Sequence, residues 1–321
     1  MIIEDEVYGP HSVQEPLLLD LLGSQAIQRL RHISQAGASS LVRTGRSVTR
    51  FEHSVGVMLL TRFLGGTTLE QAAGLLQDVS HTAFSHTVDY VFRDREEQFH
   101  ENIFEVVLSN SDIPSTLARH GLHWRNLFEP ANLRIVDAKA PLLCADRIDY
   151  TLRDLVRFGH INAGDAQNFI QTLSFQDTVI VCSDVDSAER FVRWYAYLVE
   201  NLFMNPLELY AHDEFAAIIR SALQQNVLTI NDLRDVDATV VSKLELHCWS
   251  RERLATLRTT KKVALGDGVG ARRVFSKGRI INPPILCEGS WVPLSHLRPD
   301  IEALWKNIVT VSSEGLLVRS I

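Results

Sequence analysis

The sequence predicts a mainly α-helical protein with a small β-ribbon and a mixed α/β C-terminal region. Apolar residues recur at helical spacing through most of the chain before residue 258. A single short β-branched run, TVIVC at 178–182, is bounded by polar residues and indicates a strand. After Leu257, glycine turns, strand-like runs and the pair Pro283-Pro284 replace the helical pattern.

The elements follow one another in an order that the pattern of apolar residues predicts. A start resembling a capping box at Thr67 and Glu70 follows the stop signal Gly65-Gly66, so two helices should meet there. We expect helices at 14–34, a loop at 37–49, helices at 50–63, 69–79, 82–93, 98–109 and 139–158, a strand at 178–182, and helix at 186–225 broken at Pro206.

Composition restricts the class of protein. The 321 residues are 45% apolar and 22% charged, so the chain can bury a core and is not intrinsically disordered. The net charge of −7 argues against a nucleic-acid partner but permits a local basic pocket for a small anion.

No apolar run is long enough to span a membrane, and the acidic start is unlike a signal peptide. Four scattered cysteines suggest reduced thiols, so we expect a cytoplasmic protein.

The C-terminal region contains a glycine-rich segment and a basic cluster. The segment GDGVGARR at 266–273 lacks the long helix and the Lys-Ser/Thr ending of a phosphate loop, so we interpret it as a hairpin turn. The basic cluster consists of Arg272, Arg273, Lys277 and Arg279. A solvated strand edge is the favoured interpretation of this cluster, and contact with an acidic partner or a nucleotide is the alternative.

Histidines and carboxylates are concentrated on or beside the helices of the first half. Asp78 and His81 are three residues apart and would share a helix face, as would His86 and Asp89. Asp146 lies in an apolar stretch, where a lone carboxylate is costly unless it is paired or metal-bound. The whole set is His53, Asp78, His81, His86, His100 and Asp146. Imidazole nitrogens and carboxylate oxygens are ligands of divalent metals, so the set predicts a metal site.

Five ordered blocks carry a resemblance to a known family. They are QRLRHISQAGA (28–38), RFEHS (50–54), QDVSHTAFSH (77–86), HE (100–101) and DRIDYTLRD (146–154). They resemble the HD-domain metal-dependent phosphohydrolases, and most closely the dNTP triphosphohydrolases of the sterile-alpha-motif-and-HD type. The resemblance covers about residues 1–160 well and the rest in outline, and it implies an HD-domain helical bundle.

The resemblance implies a divalent metal ion as cofactor. His53, Asp78 and Asp146 would be its ligands, together with Gln77, which stands where the family has the histidine of its His-Asp pair. The identity of the ion stays open among Mn, Mg, Fe, Zn, Co and Ni. Such an ion would lower the pKa of a bound water and polarise the phosphorus–oxygen bonds.

The resemblance also implies the catalytic residues. His81 and His86 would contact the phosphoryl group. His100, oriented by Asp89, would donate a proton to the leaving oxygen. Arg50 would neutralise phosphate charge, since a guanidinium makes forked contacts with phosphate.

A further set of residues would bind the substrate. Arg147 would join Arg50 on the phosphate, and Gln35, Tyr150 and Asp154 stand where the family holds the sugar. The expected ligand is therefore a small nucleotide or a related phosphate ester. We do not expect a membrane or a nucleic acid as a binding partner. The resemblance further implies a homodimer or higher homo-oligomer.

Gln77 leaves three outcomes open. A glutamine amide is a weaker donor than imidazole for Zn, Fe or Mn, so the site would hold a hard ion loosely and still work. Alternatively, the protein binds a nucleotide without cleaving it, or Gln77 is an inactivating change made by design. The presence of every other histidine of the set favours residual or altered metal binding.

Two further departures concern the substrate. Ala36 replaces a leucine beside the sugar-contacting Gln35, which leaves room for a ribose 2′-hydroxyl. The helix at 186–215 lacks the basic residues that would hold a triphosphate tail, and only Arg190 and Arg193 could substitute. A nucleotide or phosphomonoester in general is therefore a firmer expectation than a triphosphate.

The predicted function is metal-dependent hydrolysis of a nucleotide, whether dNTP, NTP or nucleoside monophosphate, or of a related phosphate ester. The alternative is a catalytically silent HD-fold protein that binds nucleotides or acts as a scaffold. An HD-fold di-iron oxygenase would need more ligands than the sequence offers. The predicted organisation is a catalytic core at 1–185, a helical extension packed on it at 186–258, and a small β-hairpin and helix region at 259–321.

Overall fold

The architecture is mainly helical with small antiparallel sheets, as predicted. The structure, a computed structural model, describes residues 1–43, 45, 47–287 and 289–321. Its helices are α1 (Pro16–Leu22), α2 (Gln25–Arg29), α3 (Ser39–Val42), α4 (Arg50–Phe63), α5 (Thr68–Leu76), α6 (Thr87–Phe92), α7 (Phe99–Ser109), α8 (Ile113–Arg119), α9 (Trp124–Leu127), α10 (Ala145–Arg157), α11 (Ala163–Ile170), α12 (Val185–Leu198), α13 (Pro206–Gln224), α14 (Ile230–Leu233), α15 (Asp237–Glu245), α16 (Cys248–Thr259), α17 (Leu294–Leu297) and α18 (Asp300–Glu314).

The strands are short and pair only antiparallel within the described residues. They are β1 (Ile2–Asp5), β2 (Gly9–Ser12), β3 (Leu173–Gln176), β4 (Val179–Cys182), β5 (Val263–Leu265), β6 (Arg272–Val274), β7 (Pro284–Cys287), β8 (Ser290–Pro293) and β9 (Leu316–Ser320). β1 pairs with β2, β3 with β4, and β7 with β8. In the β3–β4 ribbon Leu173 lies opposite Cys182, which confirms the strand predicted at the TVIVC run.

The C-terminal sheet has a strand order that the sequence did not indicate. β9 lies between β5 and β6 and is antiparallel to both. Val263 lies opposite Ser320, and Val274 lies opposite Leu316. Because β5 and β6 are not hydrogen-bonded to each other, the hairpin turn expected at 266–273 was wrong. The glycine-rich segment instead crosses over β9.

Two capping boxes position the helices that carry the first site residues. The Thr49 side chain accepts the backbone N–H of Glu52, whose carboxylate accepts the N–H of Thr49, and α4 starts there. Thr67 and Glu70 make the same reciprocal pair at the start of α5, as predicted. Gly65 has a φ of 82°, so the turn between the two helices requires the left-handed conformation that glycine permits.

Several helices are shorter than predicted. α5 ends at Leu76, so Asp78 lies in the turn after it and His81 follows that turn, and the two residues do not share a helix face. Phe84 and Ser85 have φ values of 57° and 47°, and these left-handed residues delay the start of α6 to residue 87. The helix predicted at 139–158 begins at residue 145, and the loop predicted at 37–49 contains the short helix α3.

The break predicted at Pro206 is confirmed. Residues Val199–Phe203 form a π-helical turn after α12, and Pro206 then starts α13 at the first helical position, where its missing N–H costs nothing. The Asn205 side chain caps this helix by accepting the N–H of Leu207. The π turn is important below because Phe203 borders the candidate site.

The core places α4 between α5 on one side and α10 on the other. One buried apolar cluster joins α1, α4 and α5, a second surrounds α10 and α12, and a third surrounds α13, α15 and α16. Within the described residues, no helix is both long and apolar enough to cross a membrane. The four cysteines are unpaired thiols. The division at residues 185 and 258 stays a prediction.

Candidate active site

A cavity of about 610 Å³ collects most of the predicted site residues. Its walls come from α4, α6, α7, α10 and α13, from the turns around residues 78–86, and from the segment that follows β6. The predicted residues that line it are Gln35, Arg50, His53, Asp78, His81, His86, His100, Asp146, Arg147, Tyr150 and Asp154. Gln77 and Asp89 stand just behind this wall and contact residues that line it.

His53 is the centre of a group of carboxylates. Its Nε2 atom lies 2.9 Å from Asp146 Oδ1 and 3.4 Å from Asp78 Oδ2, and its Nδ1 atom lies 2.7 Å from Asp149 Oδ2. Burial lowers the pKa of His53, but hydrogen bonds with Asp146 and Asp149 outweigh burial and raise the pKa to about 10. The carboxylates around this imidazole thus determine the direction of its pKa shift.

Arg50 supplies a second positive charge at this point. Its Nη1 atom donates to Asp78 Oδ2 at 2.6 Å, and its Nε atom donates to Ser85 Oγ at 3.0 Å. Burial raises the pKa of Asp78, but Arg50, His81 and His53 together outweigh burial and hold the pKa well below its usual range. The guanidinium predicted to contact phosphate is thus also a partner of a predicted metal ligand.

Gln77 stands beside the same group. Its Nε2 atom donates to Asp146 Oδ1 at 2.9 Å, so the amide nitrogen rather than the amide oxygen faces the carboxylate. Asp146 Oδ1 therefore accepts from both Gln77 and His53. In this arrangement Gln77 orients Asp146.

The donor set suits a divalent cation. Two neighbouring ligands at about 2.1 Å from an octahedral ion are about 3.0 Å apart, which matches the spacing of His53 Nε2 from the oxygens of Asp146 and Asp78. Over the described part of the chain, however, no three His, Cys, Asp or Glu side chains form a ready-made metal cluster. Arg50 and His53 are the polar partners of these carboxylates in the structure.

Three histidine rings form the wall next to this group. The rings of His81 and His100 are stacked with centroids 4.0 Å apart, and His86 meets both edge-on, at 5.0 and 5.3 Å. Burial, together with Arg50, lowers the pKa of His81 well below its usual range, and burial, together with His86, lowers that of His100 to about 3. His81 and His100 are therefore neutral at neutral pH and offer N–H groups rather than full charges.

Asp89 does not orient His100, contrary to the prediction. Its Oδ2 atom lies 2.9 Å from His86 Nδ1, because α6 begins between the two residues and brings them together. Its Oδ1 atom accepts the backbone N–H of Phe99 at 3.2 Å. His100 Nδ1 is buried without a hydrogen-bond partner among the described residues. Asp89 thus fixes the imidazole of His86.

Arg147 is engaged with the backbone. Its Nη1 atom donates to the carbonyls of Leu142 and Ala138 and contacts Cys144 Sγ at 3.3 Å. These contacts hold the loop that leads into α10, so the guanidinium predicted to neutralise phosphate is largely used by the protein itself.

The three residues predicted to hold a sugar all face the cavity. Gln35 Oε1 is buried without a hydrogen-bond partner in the described part of the structure, which marks it as an acceptor for a ligand. The hydroxyl of Tyr150 lies 3.0 Å from that of Tyr195. Burial raises the pKa of Asp154 to about 7, so this carboxyl is close to half-protonated at neutral pH. Ala36 lines the cavity beside Gln35.

Sequence reasoning missed the residues behind His53. Arg153 donates to Asp149 Oδ1 at 2.8 Å and lies 3.1 Å from Asp5 Oδ2. Gly56 on α4 leaves space for this pair, since a Cβ atom there would lie 1.9 Å from Asp149 Oδ1. The available signal was the spacing of Asp149 and Arg153, which are four residues apart on one helix.

The basic cluster of the C-terminal region was also misinterpreted in part. Arg272 pairs with Asp213 and Glu214 away from the cavity, in agreement with a structural role. Lys277 and Arg279, by contrast, line the cavity and lie outside any strand, although Lys277 is exposed. Nothing local in the sequence indicates this, because the ion pair of Arg279 joins it to Glu97, 182 residues away.

Comparison with known proteins finds relatives that align with nearly the full length of this chain. YdhJ of Bacillus subtilis, which is uncharacterised, is 38% identical over 324 residues, covering 99% of this chain and 99% of that protein. The metal-dependent phosphohydrolase cns2 of Cordyceps militaris is 35% identical over 310 residues, covering 93% and 89%. The human deoxynucleoside triphosphate triphosphohydrolase SAMHD1 is 28% identical over 221 residues, covering 53% and 35%. No family model matches the chain.

Proposed function

This chain belongs to the metal-dependent phosphohydrolases of the HD type, and on that premise we propose that it hydrolyses a phosphate ester of a nucleotide by attack of water on phosphorus. The substrate is a dNTP, an NTP or a nucleoside monophosphate, or a related ester. The observation that supports this most is the convergence of His53, Asp78 and Asp146 beside three histidine rings in one cavity.

His53, Asp78 and Asp146 are the metal ligands in this proposal. They would hold a divalent cation, which would supply the Lewis acidity that lowers the pKa of a bound water and polarises a phosphoryl oxygen. One imidazole and two carboxylates form a set richer in oxygen than in nitrogen, which suits Mg or Mn better than Zn. Gln77 acts by keeping Asp146 in place, and the loss of an imidazole at this position weakens metal binding.

The three histidines act on the phosphoryl group. Neutral His81, and His86 held by Asp89, direct N–H groups at its oxygens, where negative charge develops in the transition state. His100 passes a proton to the leaving oxygen. The negative charge of a bound phosphate raises the low pKa of His100, so the ring takes up that proton only when substrate is present.

The sugar of the nucleotide binds at the side of the cavity that is lined by Gln35, Tyr150 and Asp154. The unpartnered Oε1 atom of Gln35 accepts a hydroxyl of the sugar. Ala36 is small, so the site admits both ribose and deoxyribose. The guanidinium of Arg50 donates one hydrogen bond to Asp78 and has further N–H groups that bind the phosphate.

A screen for phosphate release tests the function. The protein is stripped of metal, given Mg, Mn, Fe or Co in turn, and incubated with nucleoside mono-, di- and triphosphates. We expect release with at least one metal and one nucleotide, and a higher rate for Gln77→His. If neither protein releases phosphate from any substrate, the proposal is wrong.

A second candidate function is nucleotide binding without turnover. The observation that favours it is the hydrogen bond from Gln77 to Asp146, which occupies a predicted metal ligand. A nucleotide that raises the melting temperature of the protein but is recovered intact would support this function, because a ligand selective for the native state raises stability. The cytoplasmic location and the homo-oligomer stay predictions.

A further inference from the structure

One segment of the C-terminal region closes a side of the cavity. We call residues 275–281, between β6 and β7, the strap. Ser276, Lys277, Gly278, Arg279 and Ile280 all line the cavity that holds the predicted metal ligands. The strap therefore belongs to the site, although it lies far along the chain from every block that predicted the site.

The strap is held in place by contacts from several elements. Tyr90 donates its hydroxyl to the Phe275 carbonyl at 3.0 Å, and Ser312 donates to the Ser276 carbonyl at 2.6 Å. Lys277 Nζ donates to the Glu96 carbonyl at 2.7 Å. These bonds join the strap to α6, to α18 and to the turn before α7, which carries His100.

Arg279 is the most enclosed cation of the strap. Its side chain is 21% exposed, its counter-ion Glu97 is 11% exposed, and its guanidinium lies 5.0 Å from the centre of the Phe203 ring. Within the described residues its hydrogen bonds go to Glu97 and to the Lys277 carbonyl, and its Nε atom makes none. A guanidinium has five N–H groups, so Arg279 retains donors for a ligand.

The other candidate cations of the cavity already make hydrogen bonds within the protein, which leaves Arg50 with donors for the reacting phosphoryl group alone. Arg147 is bonded to backbone carbonyls, and Arg50 is bonded to Asp78 and Ser85. Arg193, which could have replaced a phosphate-binding residue, pairs with Glu189 and Asp300 at the surface. Arg50 also acts electrostatically on a different part of the cavity, at Asp78 and His81, while the charge of Arg279 acts on Tyr150, Tyr195 and His212.

We propose that Lys277 and Arg279 bind a second anionic group of the substrate, beyond the phosphoryl group that reacts. This inference rests on the proposed function and narrows its substrate to nucleotides with more than one phosphate. The two side chains are binding residues that act on affinity, because they lie on the strap and not beside the predicted metal ligands. Glu97 competes with the ligand for Arg279 and keeps the guanidinium oriented when the site is empty.

Binding of inorganic tripolyphosphate to the metal-free protein, measured by calorimetry, tests the inference without turnover. We expect Lys277→Ala to weaken binding about tenfold, the loss of one charge-assisted contact. The double variant Glu97→Gln/Arg279→Gln removes both members of the buried pair, so no charge is left unpaired, and it should weaken binding by at least as much. Glu97→Gln alone should tighten binding, because it removes the competing carboxylate.

Arg273→Ala is the matched control, since it removes one positive charge from an exposed residue two positions before the strap. It should bind tripolyphosphate as the unchanged protein does. The inference is overturned if Lys277→Ala and the double variant also bind like the unchanged protein, or if Glu97→Gln weakens binding as much as the double variant does. The failure of every nucleotide to release phosphate would instead remove the proposed function, whatever the strap binds.

Discussion

Gln77 donates an amide hydrogen bond to Asp146, 2.9 Å away, at the position where related phosphohydrolases are expected to carry a metal-binding histidine. We expect Gln77→His to lower the dissociation constant for Mn about tenfold or more, since a neutral imidazole is a stronger ligand than an amide. Titration calorimetry on metal-stripped protein measures this constant. Gln77→Asn is the control, because its shorter amide adds no ligand, and equal constants for all three proteins would contradict the prediction.

The direction of the hydrogen bond between Asp89 and His86 can be reversed by one substitution. In Asp89→Asn, the new amide oxygen still accepts the Phe99 N–H, but the amide nitrogen now faces His86 Nδ1 and forces the other tautomer. We expect kcat to fall about 100-fold with a smaller change in KM.

Asp94→Asn is the matched control for this pair. Asp94 lies on the neighbouring turn, and among the described residues its carboxylate accepts only the backbone N–H groups of Glu96 and Gln98. Its kcat should stay within about twofold of the unchanged protein. An equal loss of kcat in both variants would show that the effect is on the turn and not on the imidazole.

Gly56→Ala tests the space behind His53. The added Cβ atom would lie 1.9 Å from Asp149 Oδ1 and 2.1 Å from Arg153 Nη2, so the buried ion pair must move. We expect the free energy of unfolding in urea to fall by about 3 kcal/mol. At Gly23 a Cβ atom would meet only carbonyl oxygens at 3.5 Å or more, so Gly23→Ala should change stability by less than about 1 kcal/mol. Similar values for the two variants would refute the prediction.

Asp237 joins two segments of the site, because it accepts the N–H of Ser34 at 2.9 Å and that of Phe84 at 2.6 Å. Burial raises its pKa to about 6, although these two hydrogen bonds oppose the rise. A raised carboxyl pKa means that the folded state holds the proton more tightly. Its contribution to stability is therefore full below pH 4 and is lost as the pH rises to about 6.

Asp237→Asn removes this titration. The stability of the variant relative to the unchanged protein should rise by about 2 to 3 kcal/mol between pH 4 and pH 6. Urea unfolding at several pH values measures the difference. A difference that is constant across this range would show that the carboxyl keeps an ordinary pKa in the folded protein.

Local signals predicted much of the helical framework and the grouping of its side chains. The capping residues Thr67 and Glu70 and the periodicity of α4 place His53 and Asp78 near each other, and α10 adds Asp146. The grouping of these side chains was predictable in outline because they lie on, or directly after, helices that pack against one another.

The remaining features depend on contacts that no local pattern encodes. The pairing of Asp89 with His86 depends on two left-handed residues, Phe84 and Ser85, that shorten the expected helix. The position of the strap depends on contacts such as that between Lys277 and Glu96, 181 residues apart. The order of β5, β9 and β6 likewise follows from tertiary packing.

The insertion of β9 between β5 and β6 has a consequence for biosynthesis. The strap leaves β6 directly, and β6 pairs only with β9 among the described strands. During translation, the helices that carry the predicted metal ligands can pack together early. The strap with Lys277 and Arg279 follows β6, which has no partner strand until β9 emerges. If the proposed roles hold, a nascent polypeptide thus gains its cation ligands before it gains the residues that bind a polyanion.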